Sequence, residues 1–236
     1  MGEFQPDRWD DLLRQAAHTG AQQPQLIAEL CVDMLDVTGA GISLVSDTGA
    51  RGVICATNDV AMRIEELQVT LGEGPCIDAV TRGAPVLVPD LDDRHDLAPE
   101  RWPAFLSAVS AVGVAAVFAF PLRMGAISLG ALDLYRDAAG ALRDHQLSAA
   151  LLAAEAAGLA LLSLQFAEET GLTLDESSSF QPQVHQATGM VMVQASVTIE
   201  QAFLLLRARA FASGRSLSAV AADVVARRLR FDSEDV

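Results

Sequence analysis

The stretch GVAAVFAFPLRMGAISLGALDLY, residues 113–135, contains two apolar runs on either side of a glycine. Runs of this kind, separated by a residue that favours a tight turn, are typical of two antiparallel strands joined as a hairpin. The sequence therefore predicts strands over 113–122 and 127–135, with the turn at Gly125.

A second hairpin and a short strand precede this one in the chain. The runs 41–46 and 52–57 flank the turn signal Asp47-Thr48-Gly49, and 84–88 is a short apolar run. Apolar residues at helical spacing, together with start and stop signals, predict helices over 26–37, 75–82, 100–111 and 145–167. Adjacent hairpins flanked by helices predict an α+β domain with an antiparallel sheet over residues 1–168.

The segment 147–167 is apolar enough to be weighed as a membrane span. Glu155 is its only ionised residue, but it carries two serines, a glutamine and many alanines. It also lacks the Trp, Tyr and basic residues that anchor a span at the membrane surface. We interpret it as a buried or dimerising helix of a cytoplasmic protein. The N-terminus has no basic start followed by an apolar run, so we expect no signal peptide.

The cysteine and histidine content gives no pattern of a metal site. Cys31, Cys55 and Cys76 are odd in number and widely spaced, and the four histidines are scattered. That usage is typical of a reduced compartment and argues against a disulfide framework or a cysteine zinc site. No hydrolase, kinase or P-loop motif occurs. We expect neither enzymatic activity nor a bound metal or cofactor.

Charge is distributed unevenly along a chain whose formal net charge is −15. Residues 1–168 carry 10 arginines against 23 acidic residues, whereas 180–231 carry 6 arginines against 2 acidic residues. Between them, 169–179 is acidic and holds a run of serines, which predicts a linker. Residues 232–236 form an acidic tail. A basic module attached to an acidic domain indicates a polyanionic partner.

Residues 180–231 carry the pattern of three short helices. In the first helix, apolar residues including Met192 fall on one face. Thr198 and Gln201 form a capping box for the second helix, which Gly214 ends. Ser216 is a candidate N-cap for the third helix, whose apolar residues follow the spacing of an amphipathic helix.

The run VHQATGMVMVQASVTIEQAFLLLRARAFASGRSLSAVAADVVARRL, residues 184–229, resembles the ANTAR family of RNA-binding antitermination modules. The sequence departs from the common pattern at Gln181 and Thr188, where many members have Arg and Lys. The resemblance implies a three-helix bundle that binds paired hairpins in nascent transcripts. The matching residues are Ala187, Gly189 and Met190 in the first helix, Ala202, Phe203, Leu206 and Arg207 in the second, and Leu217, Val220, Ala221 and Val225 in the third.

The preceding part of the chain resembles GAF domains fused to ANTAR modules. It shares the motifs Gly72-Glu73-Gly74-Pro75-Cys76, Val88-Pro89-Asp90-Leu91, Arg101-Trp102-Pro103 and Phe120-Pro121-Leu122. The resemblance implies a sensory domain, in which Gly72, Glu73, Gly74 and Cys76 are candidates to line a ligand pocket. A cysteine at a helix N-terminus is expected to have a lowered thiol pKa suited to redox sensing. A buried corner between a loop and a helix is the alternative interpretation.

Ten residues of the C-terminal module are candidate RNA contacts. Polar side chains on the first helix could bond loop bases while arginines hold phosphates. A glycine within that helix would permit close approach of another helix or of RNA. Arginines at helix ends are also favoured by the helix dipole alone. The candidates are His185, Gln186, Thr188, Gly189, Arg207, Arg209, Arg215, Arg227, Arg228 and Arg230.

These features together predict a signal-responsive RNA-binding regulator that acts as a transcription antiterminator. We expect a homodimer that responds to a small molecule or a redox signal, with no membrane partner. Two alternatives remain open. One is a DNA-binding regulator, because short helices with terminal arginines also dock in a major groove. The other is a ligand sensor whose helical module mediates protein contacts.

Overall fold

The computed structural model describes residues 23–46, 49–93, 101–169 and 182–231. Five strands form one antiparallel sheet in the order β2-β1-β5-β4-β3, which confirms the predicted α+β fold. The predicted linker lies almost wholly outside the described residues, as does the acidic tail. The strands are β1 (Gly39–Ser46), β2 (Gly49–Ala56), β3 (Val86–Val88), β4 (Ala116–Met124) and β5 (Ile127–Arg136).

Helices cover both faces of this sheet. In chain order they are α1 (Gln23–Leu35), α2 (Asp59–Leu71), α3 (Pro75–Arg82), α4 (Pro103–Val109) and α5 (Asp144–Glu169). Helices α1 and α5 pack on one face, and α2, α3 and α4 pack on the other. The sheet is therefore the middle layer of three.

The alternation of side chains along β5 assigns residues to the two faces. Leu132 and Leu134 are fully buried against α1 and α5, whereas Ala131, Asp133 and Tyr135 face the opposite layer. Successive residues of a strand point to opposite faces, so a polar residue between two leucines belongs to the other layer. This alternation places the Asp133 carboxyl in the interior beside α2 and α3.

Helix α5 is long and apolar enough to cross a membrane by length and composition, with a mean hydropathy of 1.9 over Asp144–Leu164. In this fold it lies along the sheet, where Ala153, Ala157 and Ala160 are buried. Gly158 brings the helix close to the backbone of Arg123 in β4. This packing agrees with the interpretation of the segment as a buried helix.

Helix α2 is the element that the sequence analysis did not predict. The side chain of Asn58 caps its N-terminus, and Gly72 ends it with φ 67°. Its buried face carries Glu65 and Gln68 in place of apolar residues. The sequence analysis missed this helix because the polar pair interrupts the apolar periodicity by which an amphipathic helix is identified.

Other boundaries differ from the prediction by a few residues. Helix α4 begins at Pro103 because Trp102 before it takes the left-handed φ of 54°. A short 3-10 helix, Ser110–Val112, then ends at Gly113 with φ 74°, so the following strand starts later than predicted. The predicted turn at Asp47 and Thr48 lies outside the described residues.

Three helices follow, as predicted: α6 (Pro182–Ala195), α7 (Ile199–Ser213) and α8 (Leu217–Val225). The capping box at the start of α7 is present, and Gly214 ends that helix with φ 62°. Met192 does not join the apolar face and is 36% exposed. The core of this bundle is continuous with the cluster around α2, and α7 contacts α2 directly.

Candidate nucleic-acid interface and sensory core

A buried polar network connects α2 to the sheet. The Ser43 hydroxyl donates to a carboxyl oxygen of Glu65, and Gln68 Nε2 donates to Asp133 Oδ2 at 2.5 Å. The Gln68 carbonyl oxygen in turn accepts from the backbone N–H of Cys76 at 2.8 Å. Buried polar groups are stable only when they are paired in this way. The network therefore fixes the position of α2 over the sheet.

Two carboxyl groups are enclosed in this network. Glu65 is 1% and Asp133 is 3% exposed. Burial, and then the nearby Asp133, raise the pKa of Glu65 well above its usual range. Burial raises the pKa of Asp133 to about 6. Two close carboxyls in an apolar interior cannot both ionise cheaply, so the pair retains a proton at pH values where free carboxylates have none.

Glycine makes room for this pair in the neighbouring strand. Gly41 lies opposite Asp133 across the β1–β5 pairing. A Cβ at position 41 would lie 2.6 Å from the Glu65 side chain. Even an alanine would displace the carboxyl, so the strand sequence and the buried acid depend on each other.

The motif from Gly72 to Cys76 forms a closely packed corner, which matches the alternative interpretation given to it. Glu73 does not face a pocket: its Oε1 accepts from the backbone N–H groups of Ala104 and Phe105, at 2.7 and 2.8 Å. A Cβ at Gly74 would meet the Gln68 side chain at 2.6 Å. The four candidate pocket residues thus join α2, α3 and α4 to one another.

The redox expectation for Cys76 is wrong in its physical basis. Although Cys76 lies in the first turn of α3, it is fully buried. Burial, and then the nearby Asp133 and Glu65, raise the pKa of the thiol well above its usual range. Thiolate formation is therefore suppressed, because desolvation outweighs the stabilisation offered by one short helix. Cys31 and Cys55 are also buried, and no cluster of three metal-ligating side chains occurs in the described ranges.

Most of the candidate arginines lie on the surface of the helical module. Arg209, Arg227 and Arg230 are exposed and form no ion pair with the described residues. Arg227 takes a left-handed φ of 59° where the chain leaves α8. A left-handed residue at this position ends the helix, because the backbone N–H groups of Arg227 and Arg228 then bond the carbonyls of Val224 and Asp223.

Asp223 holds two further arginines at the end of α8. Arg215 Nη1 lies 2.8 Å and Arg228 Nη2 lies 2.6 Å from its carboxylate oxygens. With Arg209 they line a cleft of about 330 Å³. Three cations around one anion leave a net positive cleft, which suits a phosphate better than a neutral group.

Arg207 does not lie on this surface. Its Nε donates to the backbone oxygen of Thr70 in α2 at 3.0 Å. Desolvation lowers the pKa of its guanidinium. The arginine that matches the family pattern is therefore directed at the preceding domain.

The candidates on α6 divide into two groups. His185 and Gln186 are exposed as expected. Thr188 is only 5% exposed, and its hydroxyl donates to the Val184 carbonyl at 2.7 Å, so the expectation of an exposed Thr188 is wrong. The hydroxyl is satisfied by the helix itself, which allows the residue to face the core. A Cβ at Gly189 would meet nothing within 4 Å, so packing within the chain does not require this glycine.

Sequence reasoning missed the polar residues that hold α2 on the sheet. These are Glu65 and Gln68, both on the unpredicted helix, and Asp133. One signal was present: Asp133 is the only charged residue within the apolar run of β5 that ends at Tyr135. A lone charge in a buried strand indicates a polar partner on a facing element.

The sheet order, its two helical layers and the appended three-helix bundle define an α+β domain joined to a small helical module. Residues 25–162 match the GAF domain family, and residues 173–225 match the ANTAR domain family. The chain belongs to the GAF domain family and carries an ANTAR domain behind it. GAF domains are known as signal sensors, and ANTAR domains are known to bind RNA in antitermination.

Solved structures agree with this fold. The GAF domain of an Acinetobacter phosphoenolpyruvate-protein phosphotransferase is 12% identical, with a TM-score of 0.54 over 74% of this chain and 100% of that one. The corresponding GAF domain from Coxiella burnetii is 13% identical, with a TM-score of 0.52 over 70% of this chain and 96% of that one. No curated protein matches the sequence. At these identities the likeness concerns the fold alone.

The raised pKa of Asp133 predicts how stability depends on pH. The folded state keeps a proton that the unfolded state releases, so the stabilisation is complete below about pH 4 and is lost as pH rises through 6. Asp133→Asn, which cannot ionise, is expected to reduce the decline between about pH 5 and pH 8 by on the order of 1–2 kcal/mol, while Glu65 keeps its own contribution to the decline. Urea unfolding at both pH values measures it. Asp33→Asn, at an exposed site on α1, should retain the decline; an unchanged decline in Asp133→Asn would contradict the assignment.

Because the surroundings of Gly189 are open, a substitution there can distinguish a structural role of this glycine from a role in RNA binding. Since a Cβ meets no other atom there, Gly189→Ala should raise the free energy of unfolding by about 0.5–1 kcal/mol, the usual gain of alanine within a helix. Thermal unfolding measures the change. If the glycine serves close approach of RNA, the same variant binds hairpin RNA more weakly despite being more stable. A destabilised variant would show that the glycine packs within the chain.

Proposed function

We propose that this protein is a cytoplasmic, signal-responsive regulator, and not an enzyme, that binds hairpins in nascent RNA and prevents transcription termination. The observation that carries the proposal is an exposed basic surface on a bundle matching the ANTAR family, attached to an otherwise acidic chain. An acidic protein has no general affinity for nucleic acid, so a local basic surface is needed to recruit RNA.

The exposed basic residues support contact with phosphates rather than with one small anion. Arg209, Arg215 and Arg228 line one cleft, while Arg227 and Arg230 lie at the end of α8 near it. Arginine forks suit phosphate oxygens, and unstacked loop bases are within reach of neighbouring polar groups such as His185 and Gln186 on a compact module.

The GAF domain supplies the signal-dependent part of the proposal. Glu65 of the buried carboxyl pair lies on α2, the helix that the ANTAR bundle contacts. Asp133, the other member of the pair, faces that helix from the sheet. A small molecule that binds the domain would act by favouring one position of that helix over another. The buried, weakly acidic Cys76 makes a small-molecule signal the better supported choice over a redox signal.

A homodimer is the second part of the proposal. Leu152, Leu159 and the intervening Glu155 are exposed along the outer side of α5, with Leu151 beside them. Positions 152, 155 and 159 repeat at the three- and four-residue spacing of a helix–helix seam. A second copy of α5 would cover these leucines and place two ANTAR modules side by side, as binding to paired hairpins requires.

A protein-contact role for the bundle is favoured by a different observation. Val193, Ile199, Leu204 and Phe211 are each more than half exposed on α6 and α7. Exposed apolar side chains that share one side of a helix are typical of protein interfaces, and Leu204 and Phe211 are seven residues apart on α7. This alternative predicts that arginine substitutions leave regulation intact.

Substitution of exposed arginines tests RNA binding. We expect the double variant Arg209→Gln, Arg230→Gln to bind a synthetic RNA with two short stem-loops more weakly. Its plot of log affinity against log salt should be flatter by about 0.7–0.9 for each phosphate contact removed. Electrophoretic mobility shift at several salt concentrations measures both quantities.

The control is Arg143→Gln, which removes an exposed arginine of the GAF domain that pairs with Asp36 and bonds Gln146. It should leave the affinity and the salt slope unchanged. Duplex DNA of equal charge, bound as tightly as the stem-loops by the unmodified protein, would instead support the DNA-binding alternative. Equal loss in Arg143→Gln and in the double variant would show that only net charge matters.

The proposed dimer depends on the exposed side of α5. Leu159→Glu places a charge in the seam and is expected to give a monomer, because burial of an unpaired carboxylate is costly. Glu155→Leu removes the only charge from the same seam and should strengthen association. Sedimentation velocity on the full chain measures both. Identical association states in the two variants would exclude α5 as the interface.

A further inference from the structure

The outer side of α2 holds the ANTAR bundle through two polar contacts. Besides the bond from Arg207 to Thr70, the Ser218 hydroxyl at the start of α8 donates to Glu66 Oε1 at 2.6 Å. One contact comes from α7 and the other from α8, and both end on one helix of the GAF domain. Two contacts from different helices fix the bundle in orientation as well as in position.

Gly72 shapes this surface for an arginine. It ends α2 with a left-handed φ of 67° and lies directly beneath the Arg207 guanidinium. A Cβ at this position would collide with that guanidinium. The motif from Gly72 to Cys76, which suggested a ligand pocket, therefore also contacts the Arg207 side chain of the ANTAR domain.

The contact is incompletely packed. A cleft of about 390 Å³ remains between the domains, lined by Leu67 and Leu71 on one side and by Phe211 and Gly214 on the other. Phe211 is 63% exposed at its edge. This cleft is open to solvent, so the two domains are not packed against each other over their whole facing surfaces, and interfaces between domains of one chain resemble transient protein–protein interfaces.

We propose that the outer side of α2 is a docking surface for the chain's own ANTAR bundle, and that the docked arrangement described here binds RNA more weakly than a released bundle, although Arg209, Arg227 and Arg230 stay exposed in it. The inference rests on the proposed function. Arg207 cannot bond the Thr70 carbonyl and an RNA phosphate with the same nitrogen. A negatively charged domain also lies against the module that must receive a polyanion. RNA and the GAF domain therefore compete for the bundle.

The same helix connects docking to the sensory core. Glu65 points into the buried carboxyl network, and Glu66, the next residue, bonds the bundle on the other side. A rearrangement of the network that rotates or shifts α2 also moves Thr70 and Glu66, the two residues of this helix that bond the bundle. Release by a signal requires no further element than this helix.

A matched pair of glycine variants tests the competition. Gly72→Ala adds a Cβ that collides with Arg207, whereas Gly113→Ala adds one where nothing lies within 4 Å. Both glycines have left-handed φ, 67° and 74°, so the backbone strain is equivalent. In the full chain, Gly72→Ala should bind the two-stem-loop RNA about tenfold more tightly or better, because affinity is reduced by the fraction of competent molecules. Gly113→Ala should bind like the unmodified protein.

Charge reversal gives a second route to release. Glu66→Arg removes the acceptor of Ser218 and should also tighten RNA binding. The control Asp33→Arg makes the same change of charge on α1, in the layer on the other side of the sheet. Equal tightening in Glu66→Arg and Asp33→Arg would assign the effect to net charge and overturn the inference. So would a Gly72→Ala protein that binds no better than Gly113→Ala.

A reversible cross-link reports docking without relying on RNA. In the Glu66→Cys, Ser218→Cys variant, a short bis-maleimide with a disulfide in its spacer should join the two domains within one chain. The three native cysteines are buried and should not react. The cross-linked protein should bind the two-stem-loop RNA about tenfold more weakly or worse, and should regain its affinity on reduction.

The possible results distinguish the two proposals. No intramolecular cross-link, or a cross-linked protein that binds RNA as well as the reduced one, overturns the docking inference. Efficient cross-linking with no RNA binding by any form, Gly72→Ala and Glu66→Arg included, shows that the domains dock but that the proposed function has failed. The proposed effect of docking on RNA binding then fails as well, because there is no RNA binding to weaken.

Discussion

The position of helix α2 is the constraint on which the rest of this structure depends. One side of the helix inserts Glu65 and Gln68 into the interior, where they bond Ser43, Asp133 and the backbone of α3. Buried polar groups left without partners cost several kcal/mol, so this network tolerates few positions of the helix. The other side carries the ANTAR bundle, whose orientation is therefore inherited from the buried carboxyl pair.

In this GAF domain, the buried polar groups lie beside the helix that contacts the ANTAR bundle. The carboxyl pair is costly to bury, and an apolar pair would give a more stable core. What the polar pair provides is a core whose charge depends on protonation. Since α2 lies between that core and the bundle, about one helix diameter separates the buried carboxyl pair from the bundle.

The ANTAR bundle in turn divides its arginines between two surfaces. Arg207 is taken up by the GAF domain, and Asp223 neutralises part of the charge of Arg215 and Arg228. Exposed arginines remain, but the bundle as docked is less basic than its composition indicates. Composition reports total charge, whereas binding depends on the charge that is free and accessible.

The sequence by itself determined the hairpins, the long apolar helix, the three C-terminal helices with their caps, and both family resemblances. Each of these rests on local signals such as apolar period, capping residues and glycine, which act within a few residues. Only the tertiary structure decided that Thr188 faces the core, that Cys76 is buried beside two carboxyls, and that Arg207 contacts Thr70. Helix α2 belongs to this second group, because its polar inner face makes sense only when Asp133, far away in the chain, lies opposite it. Burial and pairing depend on which distant residues meet, and local periodicity does not contain that information.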